Sequence, residues 1–151
     1  MLAHNGIIIL LTLLLALIAT IIPMPLSVDA FRPDWVLVVL MYWCLALPSR
    51  VNVITAWVIG FMVDVLLGSI LGIHAAASAI TIFIIAENFQ KIRNFSIWQQ
   101  SIIVGILAGM QHFLTDAVFL SSYLYPVITT VIVWPWALFL LRKIRRHFQI
   151  K

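Results

Sequence analysis

The chain has 151 residues, 64% of them hydrophobic and 9% charged, with a formal net charge of +4 and a mean hydropathy of +1.16. So little polar surface excludes a soluble domain of this length and predicts an integral membrane protein. No polar run is long enough for an enzymatic head or a second soluble module, and the lone Cys44 excludes an internal disulfide.

In chain order, apolar stretches at 6–22, 34–47, 51–67, 69–86, 99–120 and 123–141 predict six transmembrane helices in one all-α, polytopic domain spanning 1–151. The first lacks the basic leader and small-residue exit of a signal peptide and ends at Ile22-Pro23-Met24-Pro25, so it is read as a retained helix. The second is short. It reaches only ~21 Å against a hydrocarbon core of ~30 Å, so it must thin the bilayer, borrow flanking residues or lie among its neighbours.

The third stretch holds Asp64, the single formal charge between Arg50 and Glu87, in the ladder Gly60-x-x-x-Asp64-x-x-x-Gly68-x-x-x-Gly72. An ionised Asp costs roughly 2.5 to 3.5 kcal/mol at the centre of a bilayer, so pairing, packing or function must compensate. Three roles are open to it: a partner of Arg32, His74 or backbone donors; a contact with another subunit; or ligand and proton chemistry. Gly60, Gly68 and Gly72 predict close helix contacts, within the chain or between copies in a homo-oligomer. Asp64→Asn keeps size and hydrogen-bonding atoms and is expected to be tolerated, with Asp64→Leu losing more.

The fifth stretch places His112 and Asp116 four residues apart on one face. Arg32 and Asp34, in Phe31-Arg32-Pro33-Asp34-Trp35, fall at similar depth with His74, which predicts an outer polar cluster of Arg32, Asp34, His74, His112 and Asp116. Asp64, His74, His112 and Asp116 lack any recognised metal-ligand spacing, so neither metal nor cofactor is predicted. There is no H-E-x-x-H, no G-x-S-x-G and no nucleotide loop, and no catalytic residue is assigned.

After the sixth stretch, Leu141, Ile144 and Phe148 share a face among Arg142, Lys143, Arg145 and Arg146. Residues 142–151 are read as a basic amphipathic extension at the membrane surface, contacting anionic lipid or a cytoplasmic partner, and not nucleic acid. Six crossings place Arg50, Lys91, Arg93, Arg142, Lys143, Arg145, Arg146 and Lys151 on one side and Arg32 alone on the other. That asymmetry predicts a multi-pass inner-membrane protein with both termini in the cytoplasm.

Several runs, taken together in order, are specific. They are Phe31-Arg32-Pro33-Asp34-Trp35, Tyr42-Trp43-x-Leu45-Ala46-Leu47-Pro48-x-Arg50-Val51-Asn52-Val53, Gly60-x-x-x-Asp64 with Gly68-Ser69-x-Leu71-Gly72, Trp98-Gln99-Gln100, and Trp134-Pro135-Trp136 followed by Leu141-Arg142-Lys143. From Phe31 onward the chain resembles the MreD family of rod shape-determining proteins. The resemblance implies a non-enzymatic inner-membrane subunit of the bacterial elongasome that binds MreC. Such a subunit helps couple MreB filaments to RodA and its partner transpeptidase in peptidoglycan synthesis. It also implies a fold similar to the six-helix substrate-binding subunits of energy-coupling-factor transporters. Relatives often carry Asn or another residue where His74 stands, so the resemblance assigns His74 no role.

A small-molecule binding or transport subunit is the competing reading. It needs a polar central cavity, which the apolar first, second and sixth stretches are poorly suited to line. Thr81, Thr115 and Thr129 can satisfy their hydroxyls on their own backbone. The scaffold reading is preferred.

Overall fold

The computed structural model describes residues 2–115 and 120–150. Its elements are α1 (Leu2–Ile21), the single turn α2 (Leu26–Asp29), α3 (Trp35–Ala46), α4 (Val53–Leu67), α5 (Ile73–Asn94), α6 (Ile97–Thr115) and α7 (Leu120–His147), with no strand among the described residues. Local chemistry sets most of these boundaries. Pro23 and Pro48 stand just beyond the ends of α1 and α3, where a missing N–H and a steric clash stop a helix. The Asn52 side chain caps α4 by accepting from the N–H groups of Ile54 and Thr55 at 3.1 and 3.3 Å. Ser96 and Gln99 exchange side-chain to backbone bonds at 3.1 and 3.5 Å, a reciprocal capping box that opens α6.

The short α3 is the axis of the bundle. Leu37, Val38, Leu40, Trp43 and Cys44 are fully buried, as expected of a helix that is apolar on every side. It packs against α1, α5, α6 and α7. Trp43 donates its indole N–H to Thr12 Oγ1 on α1 at 2.9 Å, and the Thr12 hydroxyl donates to the Ile9 carbonyl at 2.8 Å. Of the three ways to accommodate a short segment, the structure uses burial among neighbours.

Large apolar side chains also face outward, among them Leu15, Ile54, Ile102, Ile106 and Phe139. Such a surface suits hydrocarbon rather than water. Two described helices, α5 and the Leu124–His147 part of α7, are long and apolar enough to cross a bilayer by themselves, while Gly6–Ile21, α3 and α4 are shorter apolar helices. The molecule is therefore an all-α, membrane-associated bundle. Helix length alone establishes neither six crossings nor the energy-coupling-factor fold.

Two element boundaries differ from expectation in ways that matter for function. Residues 69–72 form a turn, so the fourth long helix begins at Ile73 and continues to Asn94. The basic tail is not a separate surface element: α7 runs unbroken to His147, through Pro126 and Pro135. Its apolar face joins the core, since Trp134, Leu138 and Leu141 are buried, Ile144 packs beside them and Ile150 is buried beyond the helix end. These positions recur at helical spacing along one face, so the stripe that begins inside the bundle simply continues into the tail.

Candidate functional site

Asp64 is completely buried, and its environment grows from the junction between α4 and α5, two helices in extensive contact. Gly60 lies one turn before it. A Cβ at Gly60 would come within 2.6 Å of the Ala75 Cα and of the His74 carbonyl oxygen, so only glycine permits this approach of the two backbones. The short carboxylate of Asp64 then reaches the first turn of α5. Its Oδ1 accepts from the Ser69 hydroxyl at 2.8 Å and the His74 N–H at 3.0 Å, and lies 2.8 Å from His74 Nδ1. Its Oδ2 accepts from the N–H groups of Gly72 at 2.9 Å and Ala75 at 3.3 Å.

The opening N–H groups of a helix have no partner within it, and they sit at its positive pole. Gly72, at the start of α5, has no side chain with which to cap them. Asp64 does so from the preceding helix. Its backbone acts as well: the Asp64 carbonyl accepts from the N–H of Gly68, which is left-handed at φ 65°, and from Ser69 N–H at 3.1 Å, closing α4. A single residue thus ends one helix with its carbonyl and starts the next with its carboxylate.

This geometry corrects the reading of a continuous glycine ladder. Gly60 makes a close helix contact, but Gly68 and Gly72, at φ +65° and +100°, have nothing within 4 Å of a Cβ position. They are turn residues, required for their backbone conformation. The glycine contact that sequence reasoning passed over lies in α6. A Cβ on Gly105 would meet the Val131 side chain of α7 at 2.5 Å, and one on Gly109 would meet Val127 at 3.7 Å. The signal was the spacing Ser101-x-x-x-Gly105-x-x-x-Gly109.

The predicted outer cluster divides into separate junctions. His74 joins Asp64, as above. His112 Nε2 on α6 lies 3.1 Å from Asp34 Oδ2, while the Asp34 N–H donates to Thr130 Oγ1 on α7 at 3.2 Å. The start of α3 is thereby tied to α6 and α7. Arg32 pairs with neither Asp34 nor Asp64. Its guanidinium donates to the carbonyls of Ile22 and Ala19 and lies 3.6 Å from Asp29, placing a cation at the negative end of α1. Asp116 lies outside the described residues. Similar depth did not bring these groups together, because depth says nothing about the direction a side chain takes around the helix.

Gln100 was missed as a structural residue. Buried on α6, it donates its amide to the carbonyls of Ile92 at 3.0 Å and Phe95 at 3.2 Å, at the end of α5. Asp64 and Gln100 therefore cap the two ends of α5 from the helices on either side. A second Gln directly after the capping Gln99, four residues beyond Ser96, was the available signal. Thr81, Thr115 and Thr129 bond to their own helices, through the carbonyls of Ala77, His112 and Tyr125. Among the described residues no group of three or more His, Cys, Asp or Glu side chains is placed to hold a metal. Arg142, Lys143, Arg145 and Arg146 gather at the end of α7, with Arg142, Arg145 and Arg146 beside Arg93 around one cavity.

The fold and its interior define an all-α, membrane-associated protein in which Asp64 and Gln100 fasten helix ends. The family model described as rod shape-determining protein MreD matches residues 3–144. The Rod shape-determining protein MreD of Haemophilus influenzae is 31% identical over 144 residues, covering 90% of this chain and 89% of that one. The chain belongs to the MreD family, whose members are non-enzymatic proteins of the cell-shape machinery. No solved structure matches it.

Proposed function

We propose that the protein is a scaffold subunit of the bacterial elongasome, crossing the inner membrane six times with both termini in the cytoplasm. It binds MreC and helps couple MreB filaments to RodA and its partner transpeptidase. The observation that carries a binding role is the full commitment of Asp64: both carboxylate oxygens are occupied by donors of the α4–α5 junction. The charge that stood out in the sequence is therefore used in building a rigid helical pair, with apolar outer faces available to partner helices in the membrane. The family membership supplies the cell-shape assignment.

The transport reading gains nothing from the bundle centre, which is filled by the fully buried Trp43, Trp134 and Leu37. Depletion tests the choice. Rods that round up when the protein is depleted, and a tagged full chain that retains MreC on purification in mild detergent, support the scaffold. Normal rods whose growth is restored by an added nutrient would replace it with a transport subunit.

A further inference from the structure

At the end of the bundle where α3 and α5 finish and α6 begins, the last turns of α7 enclose a cavity of about 690 Å³. Its polar wall is formed by Tyr42, Arg93, Gln100, Arg142, Arg145 and Arg146, with Gln149 beside them. None of the four arginines has a carboxylate partner among the described residues. Two further polar groups point to a missing occupant. Tyr42 and Gln100 are each only 3% exposed. The Tyr42 proton has no acceptor, and the Gln100 Oε1 has no donor, because its amide nitrogen is spent on the end of α5. Buried polar atoms left unmatched are costly, and guanidinium groups crowded without an anion repel one another.

Water can satisfy a hydroxyl and a carbonyl but brings no charge. The chemistry that answers every feature is an anion with several acceptor oxygens and a hydroxyl donor of its own. A phosphate matches the planar donor fork of arginine and accepts from Tyr42, and a neighbouring alcohol donates to Gln100 Oε1. Arg142 and Arg146 also line a neighbouring depression together with Phe139, which is 72% exposed, so an apolar surface adjoins the charged wall. We propose that this cavity binds the phosphate and glycerol headgroup of an anionic phospholipid, with its acyl chains along α7. The proposal rests on the membrane setting of α7 and is independent of MreC binding.

The test is binding of short-chain phosphatidylglycerol to the purified full chain in zwitterionic detergent, followed as a rise in melting temperature. Short-chain phosphatidylcholine and glycerol phosphate serve as comparisons. Phosphatidylglycerol is expected to bind at least about tenfold more tightly than either, with Arg142→Gln and Arg93→Gln each weakening it about tenfold, the scale of a lost charge-assisted bond. Tyr42→Phe, which keeps the ring and the packing, should weaken it about threefold, while Lys91→Gln, an equal loss of charge outside the cavity, should change it by less than about twofold. Equal binding of phosphatidylcholine, or equal losses from Lys91→Gln and Arg142→Gln with Tyr42→Phe unchanged, would overturn the pocket in favour of diffuse surface charge. Glycerol phosphate binding as tightly as the lipid would overturn the lipid and assign a soluble phosphate. An acidic peptide competing as well as phosphatidylglycerol would assign the cavity to a protein partner instead.

Discussion

Asp64 shows how an ionised residue is carried inside an apolar helix. Five donors surround its two oxygens, three of them backbone N–H groups at the start of α5. Those donors would be orphans without it, so the carboxylate and the helix end each relieve the other's desolvation. The same geometry places a stability cost on replacing it with Asn. An amide has only one acceptor oxygen, and its NH2 group would face N–H donors at whichever site it occupied. Asp64→Asn is expected to lower stability by on the order of 2 kcal/mol through unsatisfied buried donors. The buried lone thiol of Cys44 provides the readout, since its reaction with a fluorogenic maleimide on heating marks unfolding. A melting curve identical to that of the native chain would show that the second carboxylate oxygen contributes nothing.

At the scale of elements, a four-residue glycine spacing looks the same whether a helix continues or breaks. The spacing of Gly68 and Gly72 fits a packing face, although a glycine four residues after Asp64 followed by Ser69 is also a helix stop. The two roles respond differently to substitution. Asn visits the left-handed region readily, so Gly68→Asn should cost less than about 1 kcal/mol, whereas Gly60→Ala must push α4 from the α5 backbone at about 1 to 3 kcal/mol. Comparing the melting temperatures of the two variants checks this, and a larger loss at Gly68 would return the turn to the helix contact. The helical class, the shortness of α3 and the stop at Pro23 were legible in the sequence, because they follow from composition, length and a missing N–H group, whereas burial of α3 was one of three ways open to it. The course of the tail was not legible. Spacing marks Leu141, Ile144 and Phe148 as one apolar face, but it cannot say whether lipid or protein covers that face. Gln100 escaped for a related reason: it acts on a neighbouring helix, and a linear pattern carries no record of which helix that is.

For the whole molecule, Arg93, Arg142, Arg145 and Arg146 meet around one cavity, whereas Arg32 lies at the far end of α1. Cationic ends of membrane bundles are retained in the cytoplasm. Alkaline phosphatase fused after Lys151 is therefore expected to be inactive, and a fusion within the connection between α1 and α3 active. The opposite pattern would reverse the molecule in the bilayer and with it the proposed topology. The shared residue at the α4–α5 junction also bears on how the protein is made. Every partner of the Asp64 carboxylate, from Ser69 to Ala75, is synthesised after it. When α4 leaves the ribosome its charge has no match in the nascent chain, and the 69–72 turn with the first turn of α5 supplies all of it within eleven residues. The two helices are thus energetically suited to enter the membrane as one hairpin, with the later helix completing the solvation of the earlier one.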